Sequence, residues 1–173
     1  IEGLEGKTRT ILIADDDAVN RALVTELLQS VGFVVQAVGN GRDALDRITA
    51  VRPDLIVTDL VMPFLDGTQL VRRLRADSEL AGIPVIAISA SASADTREEA
   101  VQAGCCSFLP KPLKLTGLLE AIADQLGLQW RYRSSTSAPV SPALNTGQVI
   151  RLEPRLAERL IDLAMQGDVM GIA

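Results

Sequence analysis

Short apolar runs alternate with longer stretches of mixed character along most of the chain. The runs are "TILIA" (10–14), "FVVQAV" (33–38), "LIVTD" (55–59), "VIAIS" (85–89) and "CSFLP" (106–110). Each is rich in Val, Ile or Leu and short enough to be a strand buried on both faces. The segments between them carry apolar residues at helical spacing. Leu23, Val24, Leu27 and Leu28 form one stripe, with Gly32 placed to end it. Ala44, Leu45 and Ile48 form a second, ended by "RPD", and Leu70, Val71 and Leu74 a third. Asp95 is placed to cap a fourth helix, "TREEAVQAG", which Gly104 closes. Leu118, Leu119, Ile122 and Leu126 mark a fifth, followed by Gly127.

Strands that alternate with helices in this way imply a parallel sheet covered on both faces. The expected fold is a doubly wound α/β domain over residues 9–128, with a five-stranded parallel sheet and five helices. Such folds place their site at the carboxyl ends of the strands. Polar residues gather at that edge: Asp15, Asp16 and Asp17 follow the first run, Asp59 ends the third, Ser89 ends the fourth and Lys111 follows the fifth. Residues 1–8 are polar and read as an upstream linker. Beyond Leu128, "RYRSSTSAPVSPALNTG" is aperiodic and rich in Ser, Thr and Pro, so residues 129–152 read as a flexible linker. Residues 153–173 read as a C-terminal amphipathic helix, or the start of a further element. Glu153 and Pro154 suit its beginning, Leu156, Leu160 and Leu163 share a face, and Gly167 suits its end.

Composition narrows the function. Of 173 residues, 47% are hydrophobic and 23% charged, enough apolar material for a real core. The net charge of −5 argues against nucleic acid, whose phosphates select Lys and Arg. The stretch 129–173 adds no basic footprint, with Arg131, Arg133, Arg151, Arg155 and Arg159 set against Glu153, Glu158, Asp162 and Asp168. The start, "IEGLEGKTRT", is polar, and no apolar run approaches the roughly 20 residues that span a bilayer, so a cytoplasmic protein without membrane contact is expected. Cys105 and Cys106 are neighbours and read as small buried hydrophobes near a strand. There is no histidine, which rules out a Ser/His/Asp triad, a His-paired cysteine nucleophile and most zinc sites.

Carboxylates of Asp15, Asp16 and Asp59 gathered at one sheet edge would repel one another. A hard divalent cation such as Mg²⁺ relieves this with oxygen ligands. A Lys ammonium and a Ser hydroxyl at the same edge suit the oxygens of a transferring phosphoryl group, and an aspartate is itself competent as the nucleophile. The constellation points to phosphoryl transfer onto a carboxylate.

The segments "ILIADDDAVNR", "PDLIVTDLVMPFLDG", "PVIAISA" and "FLPKP" resemble, in order and spacing, the motifs of the response-regulator receiver domain. The resemblance covers roughly residues 9–128. It implies a flavodoxin-like sheet of strand order 2-1-3-4-5 and a phosphoacceptor role for Asp59. It also implies an Mg²⁺ site made by Asp15, Asp16, Asp59 and the Val61 backbone carbonyl, with Asp16 in direct contact and Asp15 largely through water. Ser89 matches the Ser/Thr switch and Lys111 the active-site lysine. Phe108 stands at the switch aromatic, with ordinary core as its other reading, and the Lys111–Pro112 bond is expected cis. Asp17 and Asp66 read as helix caps, Asp54 as a turn residue, and Met62 to Gly67 as a loop-shaping stretch.

The resemblance implies a phosphorelay. A histidine kinase or histidine phosphotransfer domain donates to Asp59, and the output surface spans residues 85–126. The receiver itself catalyses only its own phosphorylation and dephosphorylation. A haloacid-dehalogenase-type hydrolase would need a second aspartate two residues after the nucleophile, where Val61 stands. A phosphate-independent receiver-like binding module is the remaining class. The prelude "IEGLEGKTRTILIADDD", "LGLQW" and "LAERLIDLAMQGDVMGI" together resemble C-terminal parts of hybrid sensor histidine kinases, themselves candidates for membrane anchorage. A stand-alone response regulator is the alternative owner, and homodimerisation stays open.

Overall fold

The structure, a computed structural model, describes residues 3–4, 8–128 and 130–131. The apolar runs become parallel strands β1 (Thr10–Ala14), β2 (Val34–Val38), β3 (Leu55–Asp59), β4 (Val85–Ser89) and β5 (Ser107–Pro110). Their spatial order is β2-β1-β3-β4-β5. The register sets Ile11 opposite Val35 and Leu55, Val57 opposite Ile86, and Ile88 opposite Leu109. Helices α1 (Ala18–Ser30), α2 (Gly41–Ala50), α3 (Gly67–Ala76), α4 (Ala94–Ala103) and α5 (Leu115–Leu126) connect them.

Strand alternation divides the core into two layers. Ile11, Ile13, Leu55, Val57, Ile86 and Ile88 face α1 and α5, where they meet Leu28, Leu118 and Ile122. Leu12, Ala14, Ile56, Val85 and Ala87 face the other way, against Ile48 of α2, Leu70 and Leu74 of α3, and Ala100 of α4. The middle strands β3 and β4 are buried along their whole length, as runs without polar alternation require. Doubly wound topology follows, with all five carboxyl ends at one edge.

Local chemistry sets the element ends, and it moves some of them from where the sequence places them. Phe33 is expected in the second strand. Its N–H instead closes α1 on the Leu28 carbonyl, and pairing begins at Val34, which donates to Arg9. The expected cap of the fourth helix, Asp95, lies in the first turn of α4, and Ser93 caps it by accepting from the Thr96 N–H. Asp17 and Asp66 cap α1 and α3 as expected. Asp54 does more than turn the chain: its carboxylate accepts from Arg9 Nη1 and the Thr10 N–H, both at 2.8 Å, fastening the start of β1 to that of β3. Gly104 and Gly127 end α4 and α5 in the left-handed conformation, which glycine adopts without strain. Of the two cysteines, Cys105 is buried and Cys106 is exposed. The strand expected from Cys106 begins at Ser107.

Gly3–Leu4 and Trp130–Arg131 pair as short antiparallel strands, Gly3 opposite Arg131 and Leu4 opposite Trp130, where linkers were expected on both sides. The rest of the linker at 129–152 and the helix expected over 153–173 lie outside the described residues.

Two outcomes test this packing. A Cβ at Gly67 would stand 2.2 Å from the Asp59 carbonyl oxygen and 2.9 Å from the Leu60 Cα, both backbone. Gly67→Ala is therefore expected to cost about 1–3 kcal/mol in urea denaturation, although helix propensity alone favours alanine. A stabilised variant would show that the close approach is wrong. Burial pushes the Cys105 thiol up to about 11 from 9.0. Alkylation near about pH 8 is expected to label Cys106 about tenfold faster than Cys105, as peptide mapping would read. The raised value means the folded chain holds this proton more tightly than the unfolded one. Cys105 thus withdraws stability as pH rises from 9.0 through about 11.

Candidate functional site

The end of β1 is held on every side. The Asp15 N–H donates to the Val38 carbonyl of β2 at 3.2 Å, and Arg21 of α1 donates to the Asp15 carbonyl at 2.6 Å. The Asp15 carboxylate is buried and accepts from the Asp17 N–H at 2.9 Å. Asp17 turns away to cap α1, accepting from the N–H groups of Val19 and Asn20. Asp16 lies between them with its side chain exposed. The three consecutive aspartates therefore have three different surroundings.

Asp59, at the end of β3, is 5% exposed. One carboxylate oxygen accepts from the Val61 N–H at 3.0 Å, and the other from Lys111 Nζ. Lys111 also reaches the Asp15 carboxylate at 3.3 Å. Its position comes from β4, because the Lys111 N–H donates to the Ser89 carbonyl at 2.7 Å, and the Lys111–Pro112 bond is cis as expected. Carboxylate oxygens of Asp15, Asp16 and Asp59 lie within 4.8 Å of one another. The fold brings together residues more than forty positions apart because their strands end side by side.

The other expected residues stand close by in distinct roles. Ser89 is 1% exposed, and its hydroxyl accepts from the Ser91 N–H at 3.2 Å. Val61 directs its N–H to Asp59 while its side chain faces water. Phe108 is half-buried on β5 opposite Ala87, with the Arg97 guanidinium 5.9 Å from its ring centre. Sequence reasoning passed over Arg21 and Arg97. Each acts through a fold-dependent contact, a carbonyl and a ring face, that no local spacing announces.

Charge decides what the pocket accepts. Burial raises the Asp15 pKa above the usual carboxylate value. The Asp59 charge adds to this, while the Asp17 N–H and Lys111 offset it. Burial by itself would lower the Lys111 ammonium. The hydrogen bond and charge of Asp59, with the charge of Asp15, outweigh that and leave it raised, so it is protonated at neutral pH. Three carboxyl groups stand against one ammonium, so acidic groups outnumber cationic ones and the pocket suits a divalent cation. The donors are all carboxylate oxygens, one exposed and two buried, a set that suits a hard cation retaining part of its water. The residues present fit Mg²⁺.

Residues 11–123 match the family model of the response regulator receiver domain. The chain is 34% identical over 119 residues to the polar-differentiation response regulator DivK of Brucella anthropi, covering 69% of this chain and 97% of that one. The chemotaxis response regulator CheY4 of Vibrio cholerae superposes with a TM-score of 0.66 at 28% identity, over 69% of this chain and 100% of its own. The receiver domain of a Pseudomonas aeruginosa sensor histidine kinase, solved with a magnesium ion coordinated in its active-site cleft, gives 0.65 at 32% identity, over 70% of this chain and 99% of its own. Sheet order and sequence motifs agree with these likenesses: the chain belongs to the response regulator receiver domain family of two-component signalling.

Proposed function

We propose that Asp59 is the phosphoryl acceptor of this receiver. The observation that carries the reading is its buried carboxylate, held by the Val61 N–H on one oxygen and Lys111 on the other, beside Asp15 and Asp16. Asp15, Asp16, Asp59 and the Val61 carbonyl would hold Mg²⁺. The ion would supply positive charge for the phosphoryl oxygens.

This chain's own residues do the rest. An Asp59 oxygen attacks the phosphorus of a phosphohistidine on a histidine kinase or phosphotransfer domain. The O–P bond forms as the N–P bond breaks, and the imidazole nitrogen keeps the electron pair and takes up a proton. Lys111 already contacts Asp59 and would follow the transferred group as a cationic partner. Ser89 would exchange its hydrogen bond from the Ser91 N–H for one to a phosphoryl oxygen. That draws in the loop between β4 and α4, with Phe108 responding on β5, and biases the surface of residues 85–126. Substrate histidine must come from outside, since the chain has none.

We place the receiver at residues 9–128, in the cytoplasm, with no role in nucleic-acid binding. No helix among the described residues is long and apolar enough to cross a membrane. Similarity to a receiver of a sensor histidine kinase supports ownership by a hybrid kinase, and similarity to DivK supports a stand-alone regulator. The full reading frame of the gene decides between them.

Incubation with phosphoramidate and Mg²⁺ is expected to add one phosphoryl group, read by intact mass. Asp59→Asn is expected to lower labelling by at least about a hundredfold, and chelation with EDTA to abolish it. Labelling of Asp59→Asn at the wild-type rate would refute the assignment.

A further inference from the structure

Phe64 is 88% exposed, the most exposed of the large hydrophobic side chains described. It is also the one non-glycine residue among those described with a positive φ, at +66°. The cause is visible next to it: the Leu65 N–H donates to the Pro63 carbonyl at 2.8 Å, closing a three-residue turn with Phe64 at its centre. Turns of this positive-φ kind are rare and strained, and a bulky side chain at such a φ is an outlier that Gly would relieve. The flanks hold it in place. Met62 and Leu65 are buried, the Leu65 carbonyl accepts from the Gly41 N–H at 3.2 Å, and the Gly67 N–H donates to the Leu60 carbonyl at 3.0 Å. The chain thus accepts two local costs, a strained backbone and an aromatic ring in water, at one position.

That position borders the acceptor. Val61, three residues before Phe64, donates its N–H to the Asp59 carboxylate at 3.0 Å, so chain length holds the Phe64 Cα within about 15 Å of that carboxylate. A protein that delivers a phosphoryl group to Asp59 must cover this mouth. A standard interface buries about 800 Å² per partner, a disc of radius about 16 Å, so a donor centred on Asp59 covers Phe64 as well. Val61, 73% exposed, and Val19, 56% exposed in the first turn of α1, add apolar surface on segments that leave the same sheet edge. Aromatic side chains, Phe among them, are enriched in protein–protein interfaces relative to the rest of the surface.

We propose that Phe64 is an anchor for the histidine-bearing protein that phosphorylates this receiver. The inference rests on the reading of Asp59 as acceptor and names the contact that brings the donor there. Phe64 takes no part in the chemistry; its ring contributes to donor affinity.

The test uses the full chain with Phe64→Asn and Phe64→Leu. The protein probe is the fastest donor to the wild-type chain from a panel of phosphorylated histidine phosphotransfer domains, and phosphoramidate is the small-molecule control. Phe64→Asn is expected to unfold at a temperature close to wild type, because the Phe64 side chain is exposed and packs into no core. It is expected to be labelled by phosphoramidate within about twofold of wild type, yet to accept from the protein donor about tenfold more slowly in kcat/KM, mostly through KM. Phe64→Leu, which keeps apolar bulk, is expected to recover most of that transfer. Wild-type transfer to Phe64→Asn would overturn the proposal. So would a panel in which no domain phosphorylates a wild-type chain that phosphoramidate labels at Asp59. If phosphoramidate fails to label the wild type, the acceptor reading itself falls and this inference with it.

Discussion

Three carboxylates meet one ammonium at the carboxyl edge of the sheet, and the surrounding architecture serves to hold that imbalance in place. Like charges brought within 4.8 Å would move apart on a flexible scaffold. Here two of the three, and the ammonium between them, are tied to backbone. Asp15 is held by β2 and Arg21, Asp59 by the Val61 N–H, and Lys111 by the Ser89 carbonyl. The fully buried strands β3 and β4 make those anchors stiff. A site with excess negative charge is thereby kept ready for positive charge instead of relaxing around its absence.

Rigidity is not evenly shared. The helices α1, α3 and α5 insert branched or long apolar side chains into the core, whereas α4 buries only Ala100 and Ala103. Its fixed point is its C-terminal end, where Arg75 donates twice to the Gly104 carbonyl and also to the carbonyls of Ala81 and Ile83. Its N-terminal end rests on hydroxyl contacts among Ser91, Ser93 and Thr96, in the loop that follows Ser89. Small buried side chains supply little hydrophobic stabilisation, and exposed hydroxyl contacts supply little more. A displacement of Ser89 therefore reaches α4 at its weakly held end. The Arg97 guanidinium over Phe108 links the same helix to β5, so the half-buried aromatic and the loosely packed helix share a contact.

The strands and the acidic site were legible in the sequence for one reason. Buried parallel strands need unbroken apolar runs, and the doubly wound topology sends every strand end to the same edge. "LIVTD" and "VIAIS" coincide with β3 and β4, and the residues following the runs are the ones that meet. The caps at Asp17 and Asp66 were legible because capping is local. Ser93 was missed because Asp95 satisfies the same local rule two residues later, and only the path of the chain out of β4 decides between them. Cys106 was misplaced for a similar reason. Adjacent residues of one type look alike in sequence, while the turn out of α4 buries Cys105 and turns Cys106 to solvent.

By itself the sequence determined the fold class, the strand order through the motifs it resembles, and the set of polar residues at the site. The fold class and the gathering of polar residues follow from periodicity and the positions of strand ends, and the strand order follows only from the resemblance. Tertiary structure decided how those residues differ from one another. It alone separates buried Asp15 from exposed Asp16, although they are neighbours of one type, because the Asp15 carboxylate meets the Asp17 N–H and Lys111 while the Asp16 side chain faces solvent. It alone sets Lys111 between two carboxylates from different strands, and it alone turns Phe64 outward at a backbone angle its own chemistry disfavours. Side-chain burial and long-range charge pairing depend on where strands end relative to one another, which no local window of residues contains.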